Sequence, residues 1–387
     1  MVERRVFGLD VLRALAIFTV VYSHGEILKG NSFFLNQLYK FSILIDGVTI
    51  FFVLSGFLIG HILLRIVANG FFDVRALVGF WIRRWFRTLP NYFMVLMWIV
   101  ILNYNSLDKE TILQFIFFVQ NLFYPHPNIF LEAWSLSVEE WFYLSTPLLL
   151  FFLMKIKRLK HKKIILFWIS IVILFSTLFR AYQASHITNF DYYWWDVNIR
   201  KEVFPRLDSL MYGILGAYLN RYHERAWTIW ANKCFVIGVI MILWGLPGII
   251  TAVPQEVFYN YILLALTPIS VLLLLPKLSA WNASPSPIKS IIVFISKISY
   301  SMYLIHFSLI LINFIPGIME WIYPSHFGNH EDLAKYFLYW GLTISISAMF
   351  YRYYEYPMTS LRDKIDFRKV SFQTRSGEVN VRRHGVL

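Results

Sequence analysis

The chain has 387 residues, of which 58% are hydrophobic, 19% aromatic and only 15% charged. This balance is typical of a polytopic membrane protein. The formal net charge of +13 could suggest nucleic-acid binding. The basic residues, however, form short clusters between apolar runs rather than one amphipathic face, so they are better explained as a topology signal. The single cysteine, Cys234, excludes an internal disulfide and leaves no metal cluster or thiol relay.

Apolar segments of membrane-spanning length recur through the chain and predict an all-α protein with about ten transmembrane helices around a polar intramembrane site. The segment Ile112–Phe123 is short for a span, so an interfacial or re-entrant helix is expected there. Small residues in the second span, Ser55, Gly56 and Gly60, favour close helix packing. The predicted spans are Leu9–Leu28, Ile43–Val67, Phe80–Leu102, Trp134–Met154, Ile164–Tyr182, Leu207–Leu219, Trp227–Ile249, Val257–Leu275, Ile291–Ile315 and Leu333–Tyr354.

Clusters of Lys and Arg fall in alternate loops, and this asymmetry predicts ten spans with both termini in the cytoplasm. We expect one transmembrane domain at residues 1–361, followed by a basic, flexible cytoplasmic tail at 362–387. No internal repeat or nucleotide-binding loop is recognisable in the sequence.

The first span carries Asp10, Arg13 and His24, although charges inside a membrane are costly. Arg13 and His24 are eleven positions apart, so on an α-helix they share one face within roughly 20° and are separated by about 16 Å. Asp10, three residues before Arg13, is placed to hold the guanidinium. Arg13 and His24 could face the interior of a bundle. The alternative is a basic anchor and a polar residue that reach the two membrane interfaces.

Three arginines, Arg83, Arg84 and Arg87, lie near the predicted cytoplasmic end of the third span. Guanidinium groups bind phosphates in a bidentate manner, so together with Arg13 they could clamp a pyrophosphate that enters from the cytoplasm. The alternative is plain membrane anchoring by positive charge.

Further polar residues fall in the predicted outer half of the membrane. Glu139 and Glu140 are too costly to face lipid, and one of them could orient a histidine; a structural ion pair is the alternative. Tyr303 and His306 share a face of the ninth span.

The sixth span opens with Arg206 and Asp208, for which an acidic residue near a helix N-terminus is the simpler explanation. Arginines on the cytoplasmic side, with histidines and acids in the outer half, predict two substrates that reach the site from opposite faces.

In their order along the chain, these motifs resemble the acyltransferase-3 family of integral membrane O-acyltransferases. Arg13 and His24 match the family's signature of an arginine, ten residues and a histidine. Thr49 occupies a position at which many members have Asp. The other matching segments are FFVLSGF at Phe51–Phe57, Arg83–Arg84 with Arg87, WSLSVEE at Trp134–Glu140, Arg206 with Asp208, SYSMYLIH at Ser299–His306, and Glu355 with Pro357.

The resemblance implies transfer of an acyl group, commonly acetyl, from cytoplasmic acyl-CoA to a hydroxyl of an extracytoplasmic glycan or lipid-linked saccharide at a bacterial plasma membrane. Acetyl-CoA is then a co-substrate rather than a permanently bound cofactor. Under this interpretation His24 is the general base for the acceptor hydroxyl, and Glu139 or Glu140 orients its imidazole.

The remaining polar residues divide between the two substrates. The phosphates of acyl-CoA are assigned to Arg13, Arg83, Arg84 and Arg87, and Arg13 also belongs to the catalytic group. The acceptor site is assigned to Arg206, Asp208, Tyr303 and His306.

The main alternative is a transporter or flippase of a saccharide or lipid, in which intramembrane charges mark a substrate path. Such a protein is expected to show repeat symmetry and spans broken by Gly or Pro. The two halves of this chain do not resemble one another and its prolines fall mostly at span ends, so a transferase is favoured.

Overall fold

Every element in the described part of the computed structural model is helical, which confirms the predicted all-α class. The structure describes residues 5–39, 46–70, 72–156, 160–186, 190–245, 249, 251–283, 286–322 and 329–364. The longer helices, numbered in chain order, are α1 (Phe7–Gly25), α2 (Gly47–Ala68), α3 (Val74–Leu102), α4 (Ala133–Met154), α5 (His161–Ala184), α6 (Leu207–Tyr222), α7 (Ala231–Ile240), α8 (Leu264–Ala280), α9 (Pro287–Ile305) and α10 (Asn329–Phe350).

Shorter helical segments connect or extend these helices. The α-helical ones are Phe33–Leu38, Lys109–Ile116, Tyr192–Trp195, Glu224–Ile229, Gln255–Val257, Ile315–Ile322 and Tyr356–Lys364, and the 3-10 turns are Glu26–Leu28, Tyr104–Ser106 and Phe204–Arg206. The π-helical segments are Asp196–Arg200, Met241–Gly245, Phe258–Leu263, His306–Phe314 and Tyr351–Glu355. Such turns are rare and often lie at functional sites, and one of them begins at His306, a residue that the sequence analysis assigned to the acceptor site.

Seven helices are long and apolar enough to cross a membrane among the described residues, so the chain is a polytopic membrane protein. The predicted number of about ten is not confirmed. The other three predicted spans also contain helices among the described residues, although residues 246–248 of the seventh span lie outside them. Of these helices, α6 has only 16 residues, the apolar helix Ala231–Leu243 is shorter still, and α10 is not among the seven. Those seven are Phe7–Leu28, Gly47–Ala68, Val74–Leu102, Ala133–Met154, His161–Ala184, Gln255–Ala280 and Pro287–Trp321.

Two predicted segments outside the spans can be located in part. The apolar segment Ile112–Phe123 is α-helical only as far as Ile116, in a helix of eight residues that is too short to cross a bilayer. At the C-terminal end, the helix Tyr356–Lys364 continues past the predicted domain boundary. The rest of the predicted tail, residues 365–387, lies outside the described residues.

Several helices begin with a side chain that satisfies a free amide of the first turn. This N-capping lowers the free energy of the helix, typically by about 1 kcal/mol. Capping also fixes the position of the capping residue, and Asp46 is thereby held at the start of α2, where two arginines reach it. The capping residues of α2, α3 and α9 are Asp46, Asp73 and Ser286.

Helices α2 and α6 form the most extensive helix pair, and their backbones approach very closely. A Cβ atom at Gly56 would collide with the backbone carbonyl of Leu210, and one at Gly213 would collide with the carbonyl of Val53. At Gly60, the nearest neighbour of an added Cβ is the Ala217 side chain, at 2.7 Å. The predicted close packing through the small residues of the second span is therefore confirmed.

Candidate active site

Helix α1 carries both members of the arginine and histidine pair, as predicted. Both side chains are half-buried rather than fully lipid-exposed. Arg13 lies in the middle of the helix and His24 in its last turn, so about 16 Å of helix separates them. The helix therefore offers a cation and an imidazole at two positions along its axis.

The last turns of α1, which carry His24, are hydrogen-bonded to α10 and to the turn that follows the helix Phe33–Leu38. The hydroxyl of Tyr39 donates to the carbonyl of Tyr22 at 2.7 Å, and the hydroxyl of Tyr339 donates to the carbonyl of Val21 at 3.0 Å. Both carbonyls lie in the last turns of the helix, and that of Tyr22 is one of the last four, which lack partners within the helix. The bonds hold the backbone that carries His24 in place.

His24 pairs with the second histidine that the sequence analysis singled out. Its Nδ1 lies 2.8 Å from Nε2 of His306, and its ring is stacked on that of Phe307, with centroids 4.2 Å apart and planes within 5°. His306 is fully buried. Its Nδ1 lies 2.8 Å from the carbonyl oxygen of Tyr303 and 3.1 Å from that of Met302. The structure thus brings together residues that had been assigned to catalysis and to acceptor binding.

A buried acid that the sequence analysis missed, Glu132, secures this part of α9. Its carboxylate accepts from the hydroxyl of Ser308 at 2.5 Å and from the Ser308 amide at 3.3 Å to each oxygen. Its carbonyl accepts from the hydroxyl of Tyr303 at 3.0 Å. Burial raises the pKa of Glu132 to about 8, against the hydrogen bonds from Ser308 that lower it. The signal for Glu132 was its position two residues before the WSLSVEE motif.

The prediction that Glu139 or Glu140 orients His24 is wrong in this structure, because the partner of that imidazole is His306. Glu139 accepts from the hydroxyl of Tyr143 at 2.7 Å and lies 3.6 Å from the guanidinium of Arg84. Glu140 accepts from the side chains of Thr88 and Trp85, at 3.0 and 3.1 Å. Both acids therefore lie beside the helix that carries Arg84 and not beside the histidines.

The cause of this error is the length of α3. The predicted third span began at Phe80, whereas the helix begins at Val74, six residues earlier. At about 1.5 Å per residue, Arg84 lies about 9 Å further from the helix start than expected. The guanidinium of Arg84 therefore lies far enough along α3 to meet Glu139 of α4.

The arginines differ in how far their side chains are buried. Arg13 is half-buried and lies 3.5 Å from Asp10 and 3.4 Å from the hydroxyl of Ser296. The side chains of Arg83 and Arg87 are exposed. Arg84 is half-buried, donates to Ser55 at 3.1 Å and to Tyr143, and lies over the Tyr143 ring at 4.2 Å.

Asp208 does not join the histidines but forms a buried ion pair with Arg180 at 2.6 Å. Arg206 is also fully buried. It donates to the hydroxyl of Thr49 at 2.7 Å and lies 3.5 Å from the Asp46 carboxylate. Arg180 was missed, although a charged residue inside an apolar span is itself a signal.

A second charged group lies near His24, in the segment before α6. Arg200 bridges Asp46 at 3.1 Å and Asp196 at 2.5 Å, and Lys201 reaches Asp196 at 2.7 Å. Burial alone would raise the pKa of Asp196, but the two cations outweigh it and lower the pKa below its usual value. The charges of Arg200, Lys201 and Asp196 all act on His24.

Comparison with known proteins places this chain in a family. The family model described as an acyltransferase domain matches residues 6–352. A candidate O-acetyltransferase of Staphylococcus aureus (strain COL) is 24% identical over 385 residues, which cover 92% of this chain and 57% of that protein. The peptidoglycan O-acetyltransferase OatA of Listeria monocytogenes is 27% identical over 288 residues, which cover 62% of this chain and 44% of that protein.

A candidate peptidoglycan O-acetyltransferase of Bacillus subtilis is 31% identical over 166 residues, or 38% of this chain and 24% of that protein. The chain spans about half the length of the first two relatives. No solved structure matches it significantly. The family match extends from the start of α1 to just beyond the end of α10 and so includes both histidines and all four arginines assigned to acyl-CoA. The chain therefore belongs to the acyltransferase-3 family of integral membrane O-acyltransferases.

Proposed function

We propose that this protein moves an acyl group, with acetyl the preferred one, from cytoplasmic acyl-CoA to a hydroxyl of an extracytoplasmic glycan or lipid-linked saccharide. Family membership supports acyl transfer over the transporter alternative. The names of the relatives support O-acetylation, and two of them act, by name, on peptidoglycan. A cell-wall glycan is therefore the first acceptor to test.

The observation that carries the proposal is the position of His24. Its imidazole is half-buried in an apolar helix bundle, hydrogen-bonded to a second imidazole and stacked on a phenyl ring. A neutral histidine can take the proton of a hydroxyl at physiological pH, which makes it the most frequent general base in enzymes. We assign this role to His24.

The donor is assigned to the arginine end of α1. Coenzyme A carries several phosphate groups, and guanidinium groups bind phosphate with geometric specificity. Arg83 and Arg87 are exposed and Arg13 is half-buried, so an incoming ligand can reach all three side chains. Arg84 contributes mainly charge, because its side chain is held by Tyr143 and Ser55.

The acceptor is assigned to the histidine end. Arg206 supports this assignment because its Nε and Nη1 atoms are buried and find no partner among the residues that the structure describes. Such donors are costly to leave unsatisfied and suit the oxygen atoms of a saccharide. We place the arginine end and both termini on the cytoplasmic side of a bacterial plasma membrane, in accordance with the distribution of basic loops.

The test is release of free CoA by the purified protein in lipid nanodiscs, with acetyl-CoA as donor and peptidoglycan fragments among the acceptors. We expect His24→Ala to lower the acceptor-dependent rate by at least about 100-fold, the range lost with a general base. His61→Ala is the matched control. That histidine also lies on a spanning helix, hydrogen-bonded to the carbonyl of Phe57, and its loss should leave the rate within about twofold. A His24→Ala rate close to that of the wild type would contradict the assignment.

A further inference from the structure

The proton position on His306 follows from its partners. Its Nδ1 lies within hydrogen-bond distance of the carbonyl oxygens of Tyr303 and Met302, at 2.8 and 3.1 Å. A carbonyl oxygen can only accept a hydrogen bond, so Nδ1 must carry the hydrogen. In a neutral imidazole the other nitrogen, Nε2, then holds a lone pair and accepts.

The surroundings of the pair favour neutral rings at rest. His306 is fully buried, and its hydrogen-bond partners are two carbonyls and the other imidazole. The charges that act on His24 include the cations Arg200 and Lys201 as well as the anion Asp196. An imidazolium in an apolar interior, without a carboxylate bonded to it, is costly.

The proton position on His24 follows in turn. Its Nδ1 lies 2.8 Å from Nε2 of His306. Because that atom of His306 accepts, Nδ1 of His24 is the donor and carries the hydrogen. Neutral His24 then keeps its lone pair on Nε2, and the stacked ring of Phe307 fixes the plane in which that lone pair points.

We infer that His306 is a positioning residue that selects the tautomer of His24 in which Nε2 is the general base. The inference rests on the proposed function. In the transfer step the O–H bond of the acceptor breaks and its proton moves to Nε2, while the oxygen bonds to the acyl carbon. The carbon–sulfur bond then breaks, and the CoA thiolate leaves with the proton from Nε2. The Nδ1–H of His24 remains donated to His306, which stabilises the transient imidazolium.

The local backbone supports this role. The α-helical part of the ninth span ends at Ile305, and the wider π-helical segment starts at His306 itself. On either side of His306, Tyr303 and Ser308 are bound to Glu132, just before α4. The imidazole of His306 is thus held by its own backbone and by a second helix, so it presents one fixed acceptor to His24.

The first experiment compares two substitutions at His306. In His306→Gln, the side-chain oxygen can still accept from His24 Nδ1, whereas in His306→Leu no acceptor remains. We expect His306→Leu to lower kcat for CoA release by about 100-fold with little change in the KM for acetyl-CoA. His306→Gln should recover most of that loss. His61→Leu is the control, because it removes another histidine bonded to a helix carbonyl.

The second experiment reads the tautomer directly and needs no turnover. Solid-state NMR of bilayer-embedded protein with nitrogen-15-labelled histidine distinguishes protonated from unprotonated ring nitrogens, and subtraction of the His24→Gln spectrum identifies the His24 signals. We expect a protonated Nδ1 and an unprotonated Nε2 in the wild type. In His306→Leu the Nε2–H tautomer should appear.

The outcomes separate this inference from the proposed function. Equal losses of kcat in His306→Leu and His61→Leu, or an Nε2–H signal in the wild type, would overturn the role of His306. A wild type that keeps the Nδ1–H tautomer but releases no CoA with any donor and acceptor would instead overturn the proposed function.

Discussion

Along one helix, the side chains of Arg13 and His24 meet opposite kinds of surroundings. Arg13 lies beside the carboxylate of Asp10, and nearby Arg84 is matched by Glu139. His24 lies against a second imidazole and a phenyl ring. The arginine end of α1 is built from permanent charges and their partners, whereas at the histidine end the side chains that touch the imidazole are uncharged at rest.

The difference follows from the cost of charge in an apolar bundle. A guanidinium is always charged, so a buried or half-buried one requires carboxylates or hydroxyls around it. An imidazole can remain neutral and acquire a charge only while a reaction proceeds. The arginine end is therefore suited to hold an ionic ligand, and the histidine end is suited to move a proton.

The largest expected effect tests whether charge pairing at the arginine end is structural. Arg84→Met leaves the half-buried Glu139 and Glu140 without their nearest cation. The expected loss of unfolding free energy approaches the about 3–5 kcal/mol that breaking a fully buried pair costs. Unfolding in mixed SDS micelles measures it. Arg83→Met, one residue away and exposed, is the control and should change stability by less than about 1 kcal/mol, the usual limit for an exposed charge. Equal losses of stability in the two variants would show that the pairing of Arg84 with Glu139 and Glu140 does not stabilise the fold.

The next effect tests the histidine end through Glu132. Its pKa in the folded protein is about 8, above the ordinary value of 4.5. The folded state therefore keeps a proton that the unfolded state loses as pH rises. The stability that Glu132 contributes is fully present below pH 4.5 and is lost as pH rises through about 8, so the free energy of unfolding falls by about 4 kcal/mol between pH 5 and pH 8.5. Glu132→Gln should remove this part of the pH dependence, as measured by unfolding at pH 5 and pH 8.5. An unchanged pH profile would show that Glu132 is ionised in the folded protein.

The smallest effect tests whether acetyl-CoA binds at the arginine end of α1 and not at the histidine end. Arg13→Gln removes a charge-assisted hydrogen bond of about 1.5–3 kcal/mol. We therefore expect the Kd for acetyl-CoA to rise by about 10- to 100-fold. His24→Ala should leave this Kd unchanged, because His24 acts on the acceptor proton. Isothermal titration with nanodisc-embedded protein measures both. A comparable loss of acetyl-CoA binding in the two variants would contradict the division of roles along α1.

Much of the fold could be predicted because an apolar run marks the extent of a membrane helix. The predicted span Trp134–Met154 differs from α4 by one residue at its start. The error at α3 arose because its first turns carry Arg75 and exposed side chains, so hydropathy does not reveal where that helix begins. For this reason the sequence analysis placed Arg84 near one end of its span and did not predict its contact with Glu139.

The pairing of side chains within the site could not be predicted. His24 and His306 are 282 residues apart in sequence, and Glu132 and Ser308 are 176 apart. Periodicity within one helix shows which residues share a face but not which other helix that face meets. Asp46 could have been noted, since an acid directly before an apolar run is a helix-capping signal.

The close crossing of α2 and α6 limits how the sequence of this chain can change at Gly56 and Gly213. The atoms that exclude a side chain at Gly56 and at Gly213 are backbone atoms of the opposite helix. No smaller residue on one helix can make room for a larger one on the other. The two positions therefore lack a compensatory evolutionary path, and each glycine has to be retained independently. Covariation between homologous sequences, which relies on compensating pairs, would then give no signal for this contact.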